Sequence, residues 1–119
     1  MELIWEKARD VGRLVAQSDE YKAFRRASQE LGDERGAVAR LNRLQELEEE
    51  ITRALHQGID PAQEVQEEYE RLAGEVQAMP VYQAMAAAQA NFDRLMTRVN
   101  EEMARGIEAG EQSRIILPT

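Results

Sequence analysis

The stretch Ala78-Met79-Pro80-Val81-Tyr82-Gln83-Ala84-Met85-Ala86-Ala87-Ala88 decides the fold, because one patterned helix must stop inside it and the longest helix must begin there. Proline has no N–H to donate and disfavours helical geometry in the residue before it, so a kink or break falls at Met79. Upstream, Val65, Tyr69, Leu72, Val76 and Met79 recur at alternating steps of four and three, close to a heptad seam. Downstream, Tyr82, Met85, Gln89, Phe92, Leu95, Met96, Val99, Met103 and Ile107 outline a helix of about seven turns. Ala84, Ala86, Ala87, Ala88 and Ala90 thin its first third, which lets another helix approach closely. The stretch has an echo at Gln17 to Ala27, where a helix breaker, a tyrosine, an alanine, a bulky apolar residue and another alanine recur in the same order. The two read as equivalent elbows that dock near one another on a long hairpin.

That hairpin lies between them. From Asp33 to His56 the apolar stripe is Val38, Leu41, Leu44, Leu47, Ile51 and Leu55, with charged residues elsewhere on the cylinder. Gly58 supplies a stop, and Asp60-Pro61-Ala62-Gln63 reads as a restart, with an acidic N-cap, a proline at the first helical position and a glutamine completing a capping box. So short a link folds two long amphipathic helices back on each other. Towards the N-terminus, Leu3, Ile4, Ala8, Val11, Leu14 and Val15 predict an amphipathic helix over Glu2 to Gln17. Ser18 offers an N-cap for a second helix, Asp19 to Leu31, striped by Tyr21, Phe24, Ala27 and Leu31 and ended by Gly32. The expected fold is therefore all-α, an antiparallel helical bundle of about five helices built on a long helical hairpin. Residues 1–107 form a single helical domain. Residues 108–119 read as a C-terminal tail whose apolar end, Ile115-Ile116-Leu117, docks against a groove or a neighbouring chain.

Composition narrows the function classes. The chain has no cysteine, so disulfides and thiolate-held metal centres of its own are excluded. The first residues are charged and lack the apolar run of a secretory signal, and no segment approaches the ~20 apolar residues of a membrane span, so the expected location is cytoplasmic. Net charge is -8, which argues against nucleic acid as a partner across the whole surface. The charge is unevenly spread: residues 1–43 are net +1, residues 44–75 net -8 and the remainder net -1.

No Gly-rich phosphate loop, no nucleophile beside a base and no inward carboxylate pair is present, so the reading is not an enzyme, with no catalytic residue, cofactor or metal assigned. His56, the one histidine, has Thr52 and Arg53 where a carboxylate partner would stand, and reads as a helix-dipole residue at a helix C-terminus. Glu46, Glu49, Glu50, Glu64, Glu67 and Glu68 read either as a solvated face or as a docking site for a basic partner. Arg9, Arg13, Arg25 and Arg26, with Arg40 and Arg43, are the alternative, a phosphate-binding face for RNA, set against the interleaved Asp10, Glu20, Asp33 and Glu34. Tyr21, Phe24, Tyr82, Met85, Phe92, Leu95 and Val99 occupy packing positions, within the chain or between copies. The helices carry more apolar length than one chain of this size can cover, which points to a homo-oligomer, a dimer or higher, whose basic N-terminal third faces the acidic hairpin of a second chain.

The order of these features resembles the YlbF/YmcA family of small bacterial helical regulators. The likeness rests on Ser18-Asp19-Glu20-Tyr21-x-x-Phe24-x-x-Ala27, the turn Gly58-Ile59-Asp60-Pro61, Met79-Pro80-Val81-Tyr82, and Phe92-x-x-Leu95-Met96-x-x-Val99-Asn100, across roughly residues 3 to 107. It is nearest the YheA-like branch. The resemblance implies a non-enzymatic regulatory adaptor. Similar proteins assemble with one another and with a further partner, and affect competence, sporulation and biofilm formation by directing a messenger-cleaving endoribonuclease. Some hold an iron-sulfur cluster through cysteines, a property this cysteine-free chain does not share.

Overall fold

A computed structural model describes the backbone of residues 1–116 and the side chains of residues 1–112. Five helices follow one another: α1 (Glu2–Ala16), α2 (Asp19–Asp33), α3 (Arg35–His56), α4 (Gln63–Gln77) and α5 (Pro80–Ile116). The architecture is all-α, as the periodicity predicts. It is also long, with principal extents of 71 × 37 × 23 Å and a radius of gyration of 21.7 Å. A compact chain of this length has a radius of about 13.5 Å. The helices therefore share little common interior.

The junctions follow from local chemistry. The Ser18 Oγ accepts from the Tyr21 N–H at 3.1 Å and caps α2. Gly58 has φ +71°, and among the described residues it is alone in the left-handed region. The Gly58 N–H donates to the Leu55 carbonyl and the Ile59 N–H to the Ala54 carbonyl, the paired bonds of a Schellman stop. Pro80 is the first residue of α5, where its missing N–H costs nothing.

Three boundaries differ from expectation. Helix α2 runs through Gly32 to Asp33 and breaks at Glu34, in extended geometry, because the turn needs no left-handed residue. Helix α4 starts at Gln63 behind Ala62 with no side-chain cap, so Asp60 is not its N-cap. Helix α5 passes through Gly106 and Gly110 to Ile116, so the backbone is helical where a tail was expected. Glycine inside an exposed helix costs only about 1 kcal/mol, too little to stop a helix of this length. The expected docking of the apolar end falls on side chains outside the described residues.

The hairpin is antiparallel. Arg40 reaches Glu75 and Arg43 reaches Glu68, so positions rise along α3 as they fall along α4. Leu47 is 0% exposed between the two, with Leu72 and Val76 buried opposite. The most extensive helix–helix contact lies elsewhere, between α2 and α5. The Tyr21 and Phe24 rings sit 5.7 and 5.5 Å from that of Phe92. Ala27 on α2 and Ala88 on α5 are both buried, the small residues that such an approach needs. The elbows are thus not equivalent. Tyr82 lines a hollow against Leu41 and Leu44 of α3 and Val76 of α4, on the hairpin as expected, but Tyr21 docks on α5.

Candidate interaction surfaces

Two surfaces stand out, one charged and one apolar. On the hairpin, Arg43 forks onto Glu68: its Nε and Nη2 donate to the two carboxylate oxygens, both at 2.9 Å, while Nη1 donates to Glu46 at 3.0 Å. Hydrogen bonding to Arg43 holds the Glu68 carboxyl below the usual carboxylate range, with desolvation opposing it, and the same bonds raise the Arg43 guanidinium. Arg40 Nε donates to Glu75 at 3.0 Å, and Arg71 joins the same carboxylate at 3.2 Å. The Glu75 carboxyl is lowered in consequence, chiefly by Arg40. The Tyr69 hydroxyl donates to Glu48 at 3.1 Å, and this bond raises the phenol.

The six candidate acids therefore divide. Glu46 and Glu68 are held by Arg43 within the chain. Glu49, Glu50, Glu64 and Glu67 stand exposed towards the turn end of the hairpin, with Gln63 donating to Glu67 at 3.0 Å. Arg40 and Arg43 belong to the basic third expected to meet another chain's hairpin, yet their carboxylate partners are in their own. Charge periodicity places a residue around a helix and does not reveal which distant helix comes alongside.

Of the arginines proposed for RNA, Arg13 pairs with Asp10 one turn away, and Arg9, Arg25 and Arg26 are exposed. None of the four lines the apolar groove described next. His56 closes α3, with Arg53 in the same last turn, where cations complement the helix dipole. Among the described residues no group of three or more His, Asp or Glu is arranged to hold a metal ion, and no charged side chain is buried. No described helix is long and apolar enough to cross a membrane.

The apolar surface lies between α1 and α5. None of the residues of α1 is buried. Ile4, Ala8, Val11 and Val15 face Phe92, Met96, Val99 and Met103 across an open groove of about 750 Å³. Lys7 and Asn100 are the polar side chains among its lining. Phe92 and Val99 were expected as packing residues; Met85 and Leu95 are half-buried on the same helix. Sequence reasoning did not single out Lys7, and it named Asn100 only as the last residue of the Phe92-x-x-Leu95-Met96-x-x-Val99-Asn100 pattern. The available signal was a polar residue placed at helical spacing inside an apolar stripe.

With both surfaces defined, the comparison with known families is informative. The family described as control of competence regulator ComK, YlbF/YmcA, matches residues 4–108. The chain belongs to the YlbF/YmcA family. The YlbF/YmcA match covers every groove-lining residue except Leu3. It also contains the whole acidic hairpin. No curated protein matches the chain.

Proposed function

We propose that this YlbF/YmcA-family chain is a non-enzymatic, cytoplasmic regulatory adaptor of the YheA-like branch, acting through protein–protein contacts and homo-oligomerisation. The observation that carries the reading is the segregation of two sticky surfaces on an elongated frame. One is the uncovered apolar groove of α1 and α5; the other is the acidic turn end of the hairpin, where Glu49, Glu50, Glu64 and Glu67 are exposed. Among the described residues, the shifted ionisations of Arg43, Glu68, Tyr69 and Glu75 follow from ion pairs and hydrogen bonds on the hairpin, which supports the scaffold reading. The family's link to control of the competence regulator ComK supports a regulatory role. By family resemblance the control acts through RNA processing and reaches competence, sporulation or biofilm formation, with a regulatory protein docking a basic surface on the hairpin.

The test is complementation in a deletion strain of the native host, reading transcript processing, with parallel affinity capture. The quadruple reversal Glu49→Arg, Glu50→Arg, Glu64→Arg and Glu67→Arg is expected to abolish both the captured partner and complementation while leaving helicity intact. Full complementation by that variant would sink the hairpin as the docking site. The alternative reading, direct RNA binding by Arg9, Arg13, Arg25 and Arg26, predicts micromolar RNA affinity that collapses with salt and with Arg25→Glu plus Arg26→Glu.

A further inference from the structure

Helix α1 has more apolar surface than its own chain can cover. At 100° per residue, its apolar side chains from Leu3 round through Ile4 to Trp5 sweep roughly 200° of the cylinder, about twice the stripe that a single neighbour covers. The α5 side supplies one neighbour, and only across an open groove. Leu3, Ile4, Trp5, Leu14, Met103 and Ile107 are each more than half exposed. At roughly 150–200 Å² for a free side chain of this size, they present on the order of 600 Å² per copy. That lies at or above the ~300–600 Å² of the largest apolar patch on a typical monomer.

Three observations choose the occupant. First, the two walls carry the same spacing: Ile4, Ala8, Val11 and Val15 on α1 and Phe92, Met96, Val99 and Met103 on α5 both step four, three, four. Two such pairs close into a four-helix seam of the coiled-coil type. Second, these helices are neutral in an acidic chain. In α1, Glu2, Glu6 and Asp10 cancel Lys7, Arg9 and Arg13; in α5 up to Ile107, Asp93, Glu101 and Glu102 cancel Arg94, Arg98 and Arg105. The hairpin segment 44–75, at net -8, repels its own kind. Third, Asn100 stands in the groove beside Val99 and Met103. An amide both donates and accepts, so it satisfies itself against its own copy across a two-fold axis, as single buried asparagines do when they fix register in coiled coils.

We infer that the α1–α5 face is a two-fold dimer interface in which the open grooves of two copies close on each other, α5 against α5, and the two Asn100 side chains pair near the axis. Leu3, Ile4 and Met103 of the six line the groove itself; covering all six in both copies buries about 1,200 Å² of apolar surface, the size at which stable interfaces begin. The inference rests on the adaptor reading only for the idea that the chain self-associates, and it names the face and the register.

The chain's lack of cysteine allows a direct test. Asn100→Cys under mild oxidation is expected to convert most of the protein into a covalent dimer, because paired Asn100 residues bring the two Cα atoms within disulfide reach of about 7 Å. Glu101→Cys, turned about 100° around the helix, serves as the control and should cross-link at least tenfold more slowly. Sedimentation of the unmodified chain should show a dimer, and Val11→Glu should weaken it by about a hundredfold with its helicity retained. A monomer at ~100 µM, or equal cross-linking by the two cysteine variants, overturns the inference. A monomer that still captures its partner through the hairpin defeats the dimer alone; a dimer that captures nothing defeats the adaptor reading alone.

Discussion

Replacing Leu47 by alanine tests whether the hairpin interior carries the stability of this sparsely buried molecule. Leu47 is 0% exposed, and among the described residues it is the one large side chain so fully enclosed. Leucine to alanine removes about three carbons, roughly 2.4 kcal/mol at ~0.8 kcal/mol each, and the cavity left behind raises the cost to about 3 kcal/mol or more. A chain of this length has a stability of about 6–18 kcal/mol. Among the described residues only Ala27, Ala37, Leu47, Leu72, Val76 and Ala88 form the buried apolar core, so the lower end applies and one substitution removes close to half. With an unfolding entropy near 0.25 kcal/mol/K for this length, melting should fall by about 12 °C. Helical circular dichroism followed against temperature, at one protein concentration for all variants, measures it. Leu55→Ala supplies the comparison. It is the same deletion on the same helix at a side chain 61% exposed, and should cost under about 1 kcal/mol. Equal losses for the two, or a fall below about 4 °C for Leu47→Ala, would refute the claim that the hairpin interior holds the fold.

Gly58→Ala and Gly74→Ala should move stability in opposite directions. An added methyl meets open space at both sites, but Gly58 sits at φ +71° and Gly74 inside α4. The first should lower melting by about 4 °C, the ~1 kcal/mol of left-handed strain, and the second should raise it by about 2–4 °C. Phe92→Ala, at a half-buried ring against Tyr21 and Phe24, should cost about 2 kcal/mol and loosen α2 from α5, detectable as faster amide exchange along α2. Glu68→Gln should destabilise at neutral pH and not in strong acid. Arg43 holds the Glu68 carboxyl below its unfolded value, so the stabilisation is complete above about pH 4.3 and disappears as pH falls through the folded value. A melting difference between wild type and Glu68→Gln that persists unchanged at about pH 2 would contradict the assignment.

What could be read from the sequence was what is settled within a few residues. Ser18 caps because its own hydroxyl reaches the Tyr21 N–H, Gly58 stops α3 because its φ is positive, and Pro80 opens α5 because its nitrogen has nothing to donate. Gly32 and Asp60 misled for one shared reason. Each is a residue type that permits a boundary without imposing one, and the surrounding helix formers decided otherwise. The pairings between distant helices were not legible. The apolar stripes of α2 and α5 were visible, yet nothing local says that Tyr21 and Phe24 meet Phe92. Arg40 and Arg43 were visible as basic residues, but their carboxylates lie on α4, 35 and 25 positions away. The apolar excess of the long helices was visible in the sequence, while the groove between α1 and α5 needed both helices in place.

The division of charge gives the proposed dimer its consequence. Joining two copies through neutral helices leaves both acidic hairpins unburied and raises their number to two per assembly. A partner with one basic site gains nothing from that arrangement. A partner that is itself dimeric, or that carries two basic patches, gains the effective concentration of the second contact, on the order of 10²–10⁴-fold in avidity with no new contact made. Val11→Glu should then weaken partner capture even though Val11 lies in the groove of α1 and the docking acids lie on α3 and α4. The loss should appear as faster dissociation from a dense partner surface and vanish when the partner is immobilised too sparsely for both hairpins to engage. Equal dissociation rates for wild type and Val11→Glu at high partner density would separate self-association from partner docking, leaving two independent surfaces on one frame.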